Sequence, residues 1–96
     1  MTADEQLAEL GLELPALPEL PFAPRLRPVL VHGGLGYVSG GGVFDVVGYV
    51  GAEVTVEQAR EAARRTALYV LRVLRDELGS LEAVERWVKV LGFVRS

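Results

Sequence analysis

The sequence predicts a small α+β protein, and three patterns carry that prediction. Residues 55–78 follow one long helical period, with apolar positions recurring every three or four residues. Two short apolar runs, 29–32 and 35–39, flank the pair Gly33-Gly34, as the strands of a hairpin flank their turn. Residues 85–94 then alternate between two sets of side chains with the period of a strand.

The chain is short enough for one domain only, which we predict over residues 1–96. An N-terminal helix and a proline-rich arm are expected over 1–28. A sheet-and-helix core is expected over 29–96, and we expect this core to be incomplete at its C-terminal end. Half of the residues are hydrophobic and the mean hydropathy is +0.28, which is high for a small soluble monomer. A subunit interface that covers part of the apolar surface would explain these values.

Charge and residue usage exclude several classes of function. A formal net charge of −3 gives the domain no overall attraction to nucleic acid or to an anionic membrane, so neither is an expected partner. The absence of cysteine excludes disulfides and thiolate metal sites, and one histidine, His32, cannot build a histidine metal site within one chain. No leader pattern and no long apolar run is evident, so we expect a cytoplasmic protein without metal or cofactor.

The N-terminal segment reads as a short helix followed by an extended arm. Thr2 and Glu5 form a capping box, which predicts a helix over about residues 3–10, and Gly11 is a natural stop. Between Gly11 and residue 28 no regular helix can form, because prolines recur at positions 15, 18, 21, 24 and 28. Leucines between the prolines indicate an arm that is pressed onto a surface.

The long helix is the clearest element. Thr55 and Gln58 form a second capping box, and Gly79 is expected to end the helix in a left-handed conformation. One apolar face is predicted, made of Ala59, Ala63, Ala67, Val70, Leu71, Leu74 and Leu78. Before the helix, residues 43–50 are a further strand candidate, broken at Gly48.

The segment 85–94 is predicted to be a strand covered on both sides. Arg86, Val88 and Val90 fall on one face with Gly92 and Val94, while the other face holds Trp87, Lys89, Leu91 and Phe93. Both faces are largely apolar, so we expect the long helix on one side and another subunit on the other.

The glycine-rich stretch 33–42 suggests a phosphate loop, but its spacing does not fit one. A dinucleotide fingerprint would require glycine where Ser39 stands, and no Gly-Lys-Ser/Thr follows. Tight turns, or a ligand-contacting loop of another kind, remain as interpretations. His32, Ser39 and Asp45 contain the residue types of a catalytic triad, but a triad is recognised by geometry and not by composition.

Five arginines lie along the long helix, interleaved with acidic residues: Arg60, Arg64, Arg65, Arg72 and Arg75. A solvated, salt-bridged face is the main interpretation of this pattern, and a stripe that binds RNA is the alternative. Trp87 and Phe93 could stack on bases, but aromatic side chains on an apolar strand more often belong to a core or an interface.

Four segments together resemble the YjgF/RidA (reactive imine/enamine deaminase) family. Residues 35–40, Leu-Gly-Tyr-Val-Ser-Gly, resemble the end of a family strand, and 50–59, Val-Gly-Ala-Glu-Val-Thr-Val-Glu-Gln-Ala, resemble the start of its first long helix. Residues 88–94, Val-Lys-Val-Leu-Gly-Phe-Val, resemble the next strand. Residues 7–15 are similar to a branch with an additional N-terminal segment.

The resemblance implies a chorismate-mutase-like α+β fold, in which a β-sheet packs against two helices, and a homotrimer with ligand clefts between subunits. It also implies hydrolysis of reactive enamine or imine intermediates, such as 2-aminoacrylate, to 2-keto acids and ammonia, without a cofactor. Substrate-binding residues carried over from the family are Ser39, Gly40, Gly41 and Phe93. The family's catalytic arginine would lie beyond Ser96, so the catalytic residues stay unknown.

Three functions therefore compete at this point. The first is imine or enamine hydrolysis at a cleft between subunits. The second is a non-catalytic trimer that binds a small carboxylate in the same cleft. The third is RNA cleavage or inhibition of translation, after the label endoribonuclease L-PSP, or translation inhibitor, that some members of the family carry. The negative net charge does not favour RNA binding, and the sequence shows no acidic cluster suited to two-metal hydrolysis.

Overall fold

The computed structural model describes residues 2–17, 27–43 and 45–96. Within these ranges the chain contains two α-helices, a two-stranded antiparallel sheet and one 3₁₀ turn, which confirms the predicted α+β class. The elements in chain order are α1 (Ala3–Glu9), β1 (Val29–His32), β2 (Leu35–Val38), α2 (Val56–Leu78) and the 3₁₀ turn (Leu81–Ala83).

Both helices begin at the capping residues that the sequence predicted. The Thr2 hydroxyl accepts a hydrogen bond from the Glu5 amide at 3.1 Å. At α2 the capping box is reciprocal: Gln58 N–H donates to Thr55 Oγ1 at 3.1 Å, and Thr55 N–H donates to Gln58 Oε1 at 2.8 Å. Helix α2 ends at Gly79, whose φ of 82° is the left-handed conformation that glycine adopts without steric cost.

The predicted hairpin is confirmed, and its register decides which side chains face α2. Val29 pairs with Val38 and Leu30 pairs with Tyr37. Both turn glycines have positive φ, which a two-residue hairpin turn of the primed type requires. Since paired residues share a face, Val29 and Val38 lie together against the core, whereas Leu30 and Tyr37 are exposed on the opposite face.

The core forms where the hairpin, the C-terminal half of α2 and the 3₁₀ turn meet. Its buried side chains are Val29, Val73, Leu74 and Leu81. The N-terminal segment packs against this cluster, as predicted for the arm, and contributes Ala3, Leu7, Leu14 and Leu17. Two polar contacts help to hold this segment in place: the Ala3 amide donates to the Glu82 carboxylate, and Arg72 donates to the Pro15 carbonyl at 2.9 Å. The remaining prolines, at 18, 21 and 24, lie outside the described residues.

The predicted apolar face of α2 is correct only near its C-terminal end. Val73 is buried although the prediction omitted it, while Ala63 and Ala67 are exposed. The reason is that the hairpin and the 3₁₀ turn pack on the C-terminal half of the helix. Residues 43–50 form no described strand; in this stretch only Val50 makes a β-bridge, with Val54.

The strand predicted over 85–94 is wrong for the single protomer. Residues 85–96, here called the C-terminal arm, carry no regular secondary structure. The C-terminal end of the arm is held at Arg95, whose carbonyl accepts a hydrogen bond from the Val50 amide at 2.9 Å. The Arg95 guanidinium also lies 4.5 Å from the centre of the Tyr49 ring. Alternation alone does not make a strand, because the backbone also needs a neighbouring edge with which to exchange hydrogen bonds.

Candidate functional site

The loop that follows β2 crosses α2 in direct contact with an aromatic ring. This stretch, residues 39–43, is called the glycine loop below. A Cβ atom added to Gly41 would lie 2.8 Å from Cε1 and 2.9 Å from Cδ1 of Tyr69, so the Gly41 backbone rests on the ring. The φ of Gly41 is not in the left-handed region, which means that the contact with Tyr69, and not the backbone conformation, requires glycine here.

The three glycines of this loop present backbone donors to solvent. Gly40, Gly41 and Gly42 are exposed, and none of their amides donates a backbone hydrogen bond within the described residues. Consecutive free N–H groups of this kind can bind an anion, because several donors can converge on one group of oxygen atoms.

The substrate-binding residues predicted from the resemblance fall into two places. Ser39, Gly40 and Gly41 lie together at the start of the glycine loop. The Ser39 hydroxyl donates to the Arg27 carbonyl at 2.7 Å, and the Ser39 amide donates to the Pro28 carbonyl at 2.9 Å. Ser39 therefore closes the base of the hairpin with both of its hydrogen-bond donors. Phe93 lies on the C-terminal arm and is 89% exposed, so its predicted ligand contact remains a prediction.

A cationic group that the sequence analysis did not assign to this region binds the chain two residues beyond the glycine loop. Arg65 on α2 binds Asp45 through two parallel hydrogen bonds, Nη1 to Oδ2 at 3.0 Å and Nη2 to Oδ1 at 2.8 Å. The hydrogen bonds from Arg65 hold the pKa of Asp45 below its ordinary value, and those to Asp45 raise the pKa of Arg65.

The position of Arg65 on the helix explains why it meets the loop. Arg65 and Tyr69 are four residues apart, so they lie on the same face of α2 and one turn from each other. The chain contacts this face at two points: Gly41 of the glycine loop lies on Tyr69, and Asp45, two residues beyond the loop, binds Arg65. This spacing is present in the sequence, but the hypothesis of a solvated face grouped Arg65 with the other helix arginines. Two of those form surface ion pairs along the helix as predicted, Arg64–Glu61 and Arg72–Asp76, whereas Arg75 pairs with Asp4 of α1.

A shallow pocket lies beside Asp45. Its volume is about 140 Å³, and its lining residues include Asp45, Glu53, Val54 and Gln58. Glu53 accepts a hydrogen bond from the Tyr49 amide at 2.8 Å, which lowers the pKa of Glu53. Two carboxylates in so small a space repel an anionic ligand, so this pocket does not favour the binding of an anion.

The catalytic triad considered from the sequence is not formed among the described residues. The Ser39 hydroxyl donates to the Arg27 carbonyl and the Asp45 carboxylate accepts from Arg65, so neither side chain is hydrogen-bonded to His32 as a triad would require. In the described ranges, no group of three metal-ligating side chains is placed to hold an ion. Neither of the described helices combines the length and the apolar composition that crossing a bilayer requires.

Comparison of the chain with protein-family models, with curated protein sequences and with solved structures gives no match. The resemblance to the YjgF/RidA family therefore remains a prediction from the motifs.

Proposed function

We propose that the glycine loop and Arg65 bind the carboxylate of a small 2-keto or 2-imino acid, and that the protein hydrolyses such imines as the resemblance to the YjgF/RidA family implies. The observation that carries the proposal is the two-point contact between Arg65 and Asp45, at 2.8 and 3.0 Å. It presents the guanidinium fork to a carboxylate at the end of the glycine loop, and Asp45 stands where a ligand carboxylate would bind.

The two parts of this site supply different contributions to binding. Neutral amides alone hold an anion weakly, because the cost of desolvating the anion offsets most of the hydrogen-bond gain. A guanidinium adds charge and fixes the orientation of a carboxylate through two hydrogen bonds. Ligand binding at Arg65 must displace Asp45, whose side chain is 68% exposed and free to turn into solvent.

The proposed reaction is the addition of water to the C=N carbon of a 2-imino acid. The water oxygen becomes the carbonyl oxygen of the 2-keto acid, and the nitrogen leaves as ammonia with the hydrogens that the water supplies. An anchored carboxylate would orient the imine carbon over the glycine loop. No residue of this chain is assigned as the acid or base. Binding without turnover, the second hypothesis from the sequence, draws the same support from the site.

The homotrimer also belongs to this proposal, as the assembly that the resemblance implies. Its ligand clefts would lie between subunits and would shield a bound imine from bulk water. The exposed Leu30 and Tyr37 face of the hairpin is an apolar surface that such an assembly could cover.

Binding can be tested by NMR titration with 2-ketobutyrate and with benzoate. The amide resonances of Gly40, Gly41 and Gly42 should shift in the unchanged protein. Asp45→Asn should tighten binding severalfold, because the competing internal carboxylate is removed. Arg65→Gln should abolish the shifts. Asp76→Asn, which removes the matched partner of another helix arginine, should leave the affinity unchanged.

Two results would count against the carboxylate site. One is a set of shifts centred away from residues 40–42, and the other is equal affinity in Arg65→Gln and the unchanged protein. Turnover needs a separate readout, the release of ammonia and 2-keto acid from a 2-imino acid generated in solution. Carboxylate binding without accelerated ammonia release would identify a binding protein and exclude the deaminase.

A further inference from the structure

The C-terminal arm combines a free backbone with exposed apolar side chains. Within the described residues, the backbone groups of 86–94 make no hydrogen bond. The exposed fractions are 55% for Trp87, 74% for Val88, 80% for Val90 and 89% for Phe93. A segment with unpaired N–H and C=O groups and this much apolar surface is a template for pairing with another strand.

We propose that the arms of two copies pair as antiparallel β-strands about a two-fold axis that passes through Val90. This inference is independent of the proposed carboxylate site, because it uses neither the glycine loop nor Arg65. The partner strand of the exposed arm is thus the same segment of a second copy of the chain.

The exposed area of the protomer exceeds the area expected for a folded monomer of its mass. The accessible surface is 7965 Å² for a chain of 10.4 kDa. The scaling of surface with mass gives about 5,400 Å² for a folded monomer of this mass. The excess is several times the roughly 800 Å² that each partner contributes to a stable interface of standard size.

The register follows from the length of the free segment. Val84 is still bonded to Leu81 in the 3₁₀ turn, and the Arg95 carbonyl is bonded to Val50, so the free stretch between these anchors is centred near Val90. When Val90 of one copy lies opposite Val90 of the other, every residue faces the residue of the second copy for which the two numbers add up to 180. The cross-strand pairs are Trp87 with Phe93, Val88 with Gly92, Lys89 with Leu91, Arg86 with Val94 and, at the ends, Glu85 with Arg95.

These pairs are favourable for two reasons. The aromatic pair occurs twice by symmetry, and an aromatic pair across two strands contributes to the stability of a sheet. Like charges never face each other, and the end pair has opposite charges. A shift of one residue to an axis at Lys89 would instead place the two lysines directly opposite, which destabilises pairing.

Gly92 is compatible with the same register. Its φ is not positive, and a Cβ atom added there would meet nothing within 4 Å. Neither backbone conformation nor packing within the protomer therefore requires glycine. In the proposed register Gly92 faces Val88 of the second copy, and a strand glycine often marks the close approach of another chain.

The proposal predicts the number of copies in the assembly. Pairing the arms joins copies two by two, so the mass in solution must be an even multiple of the protomer mass. A dimer results if the arms are the sole contact. If a trimer also forms through other surfaces, the arms join two trimers into a hexamer.

Sedimentation equilibrium on the full chain and on two matched variants tests the pairing. Val90→Thr keeps a β-branched residue and should preserve the even stoichiometry. Val90→Pro removes a backbone N–H at the axis and should weaken self-association at least tenfold. Since Val90 is 80% exposed and makes no backbone hydrogen bond with the described residues of its own chain, the helical circular dichroism should not change. A monomer or trimer for the unchanged chain would overturn the proposal.

Oxidative cross-linking tests the register even if Val90→Pro fails to fold. The chain contains no cysteine, so an introduced cysteine can pair only with its copy. Val90→Cys should form covalent dimers rapidly, because the two Cα atoms at the axis are about 4.5–5.5 Å apart. Val88→Cys, which faces Gly92, should cross-link at least tenfold more slowly. Equal rates for the two variants would refute an axis at Val90.

Discussion

Replacement of Leu74 by alanine should remove a large part of the stability of this protein. Leu74 is 4% exposed and belongs to a cluster of four buried residues. The change deletes three carbon atoms, for which burial contributes about 0.8 kcal/mol each, or about 2.4 kcal/mol in all. The remaining cavity adds to this cost, so the expected loss is about 3–4 kcal/mol.

This loss is large compared with the total free energy of unfolding. At roughly 0.05–0.15 kcal/mol per residue, a chain of 96 residues has a stability of about 5–14 kcal/mol. With so few buried side chains, we expect a value near the lower limit. Urea unfolding followed by circular dichroism at the helical band is the assay. With a slope of about 1 kcal/mol per molar urea, the midpoint should fall by about 3 M.

The matched control is the same substitution at an exposed leucine. Leu10 is 71% exposed at the end of α1, so Leu10→Ala should change the stability by less than about 0.5 kcal/mol. If Leu74→Ala lowers the midpoint no more than Leu10→Ala does, the cluster around Leu74 is not the core and the packing argument fails.

Three further predictions concern the helix cap and the glycine loop. Thr55→Ala should cost about 1 kcal/mol in urea unfolding because the capping box of α2 is lost, and Thr55→Ser should restore most of it. Gly41→Ala should cost about 1–3 kcal/mol, since its Cβ would meet the Tyr69 ring, whereas Gly40→Ala, with nothing within 4 Å, should cost much less. The Asp45 contact should depend on pH: its folded pKa is below the unfolded value of 3.8, so its contribution is complete above that pH and disappears as the pH falls through the folded pKa. Acid titration of the melting temperature should show this step, and Asp45→Asn should eliminate it.

Local structure could be predicted from the sequence because it depends on neighbouring residues alone. The start of α2 follows from Thr55 and Gln58, whose side chains complete hydrogen bonds within one turn. The hairpin turn follows from Gly33-Gly34, since glycine adopts positive φ without a steric penalty. The helical period also identified α2 itself, although it overestimated how far the covered face extends toward its N-terminal end.

Long-range contacts decided the rest, because they depend on which elements meet in space. The burial of Val73 follows from the position of the hairpin and the 3₁₀ turn, which the helical period does not contain. The pairing of Arg65 with Asp45 follows from the path of the glycine loop over Tyr69, across 20 positions of sequence. The C-terminal arm shows most clearly that a local sequence pattern does not determine long-range contacts. Its alternation expresses a capacity for β-structure, but a strand forms only where a second edge completes its hydrogen bonds, and the described part of the protomer places none beside residues 86–94.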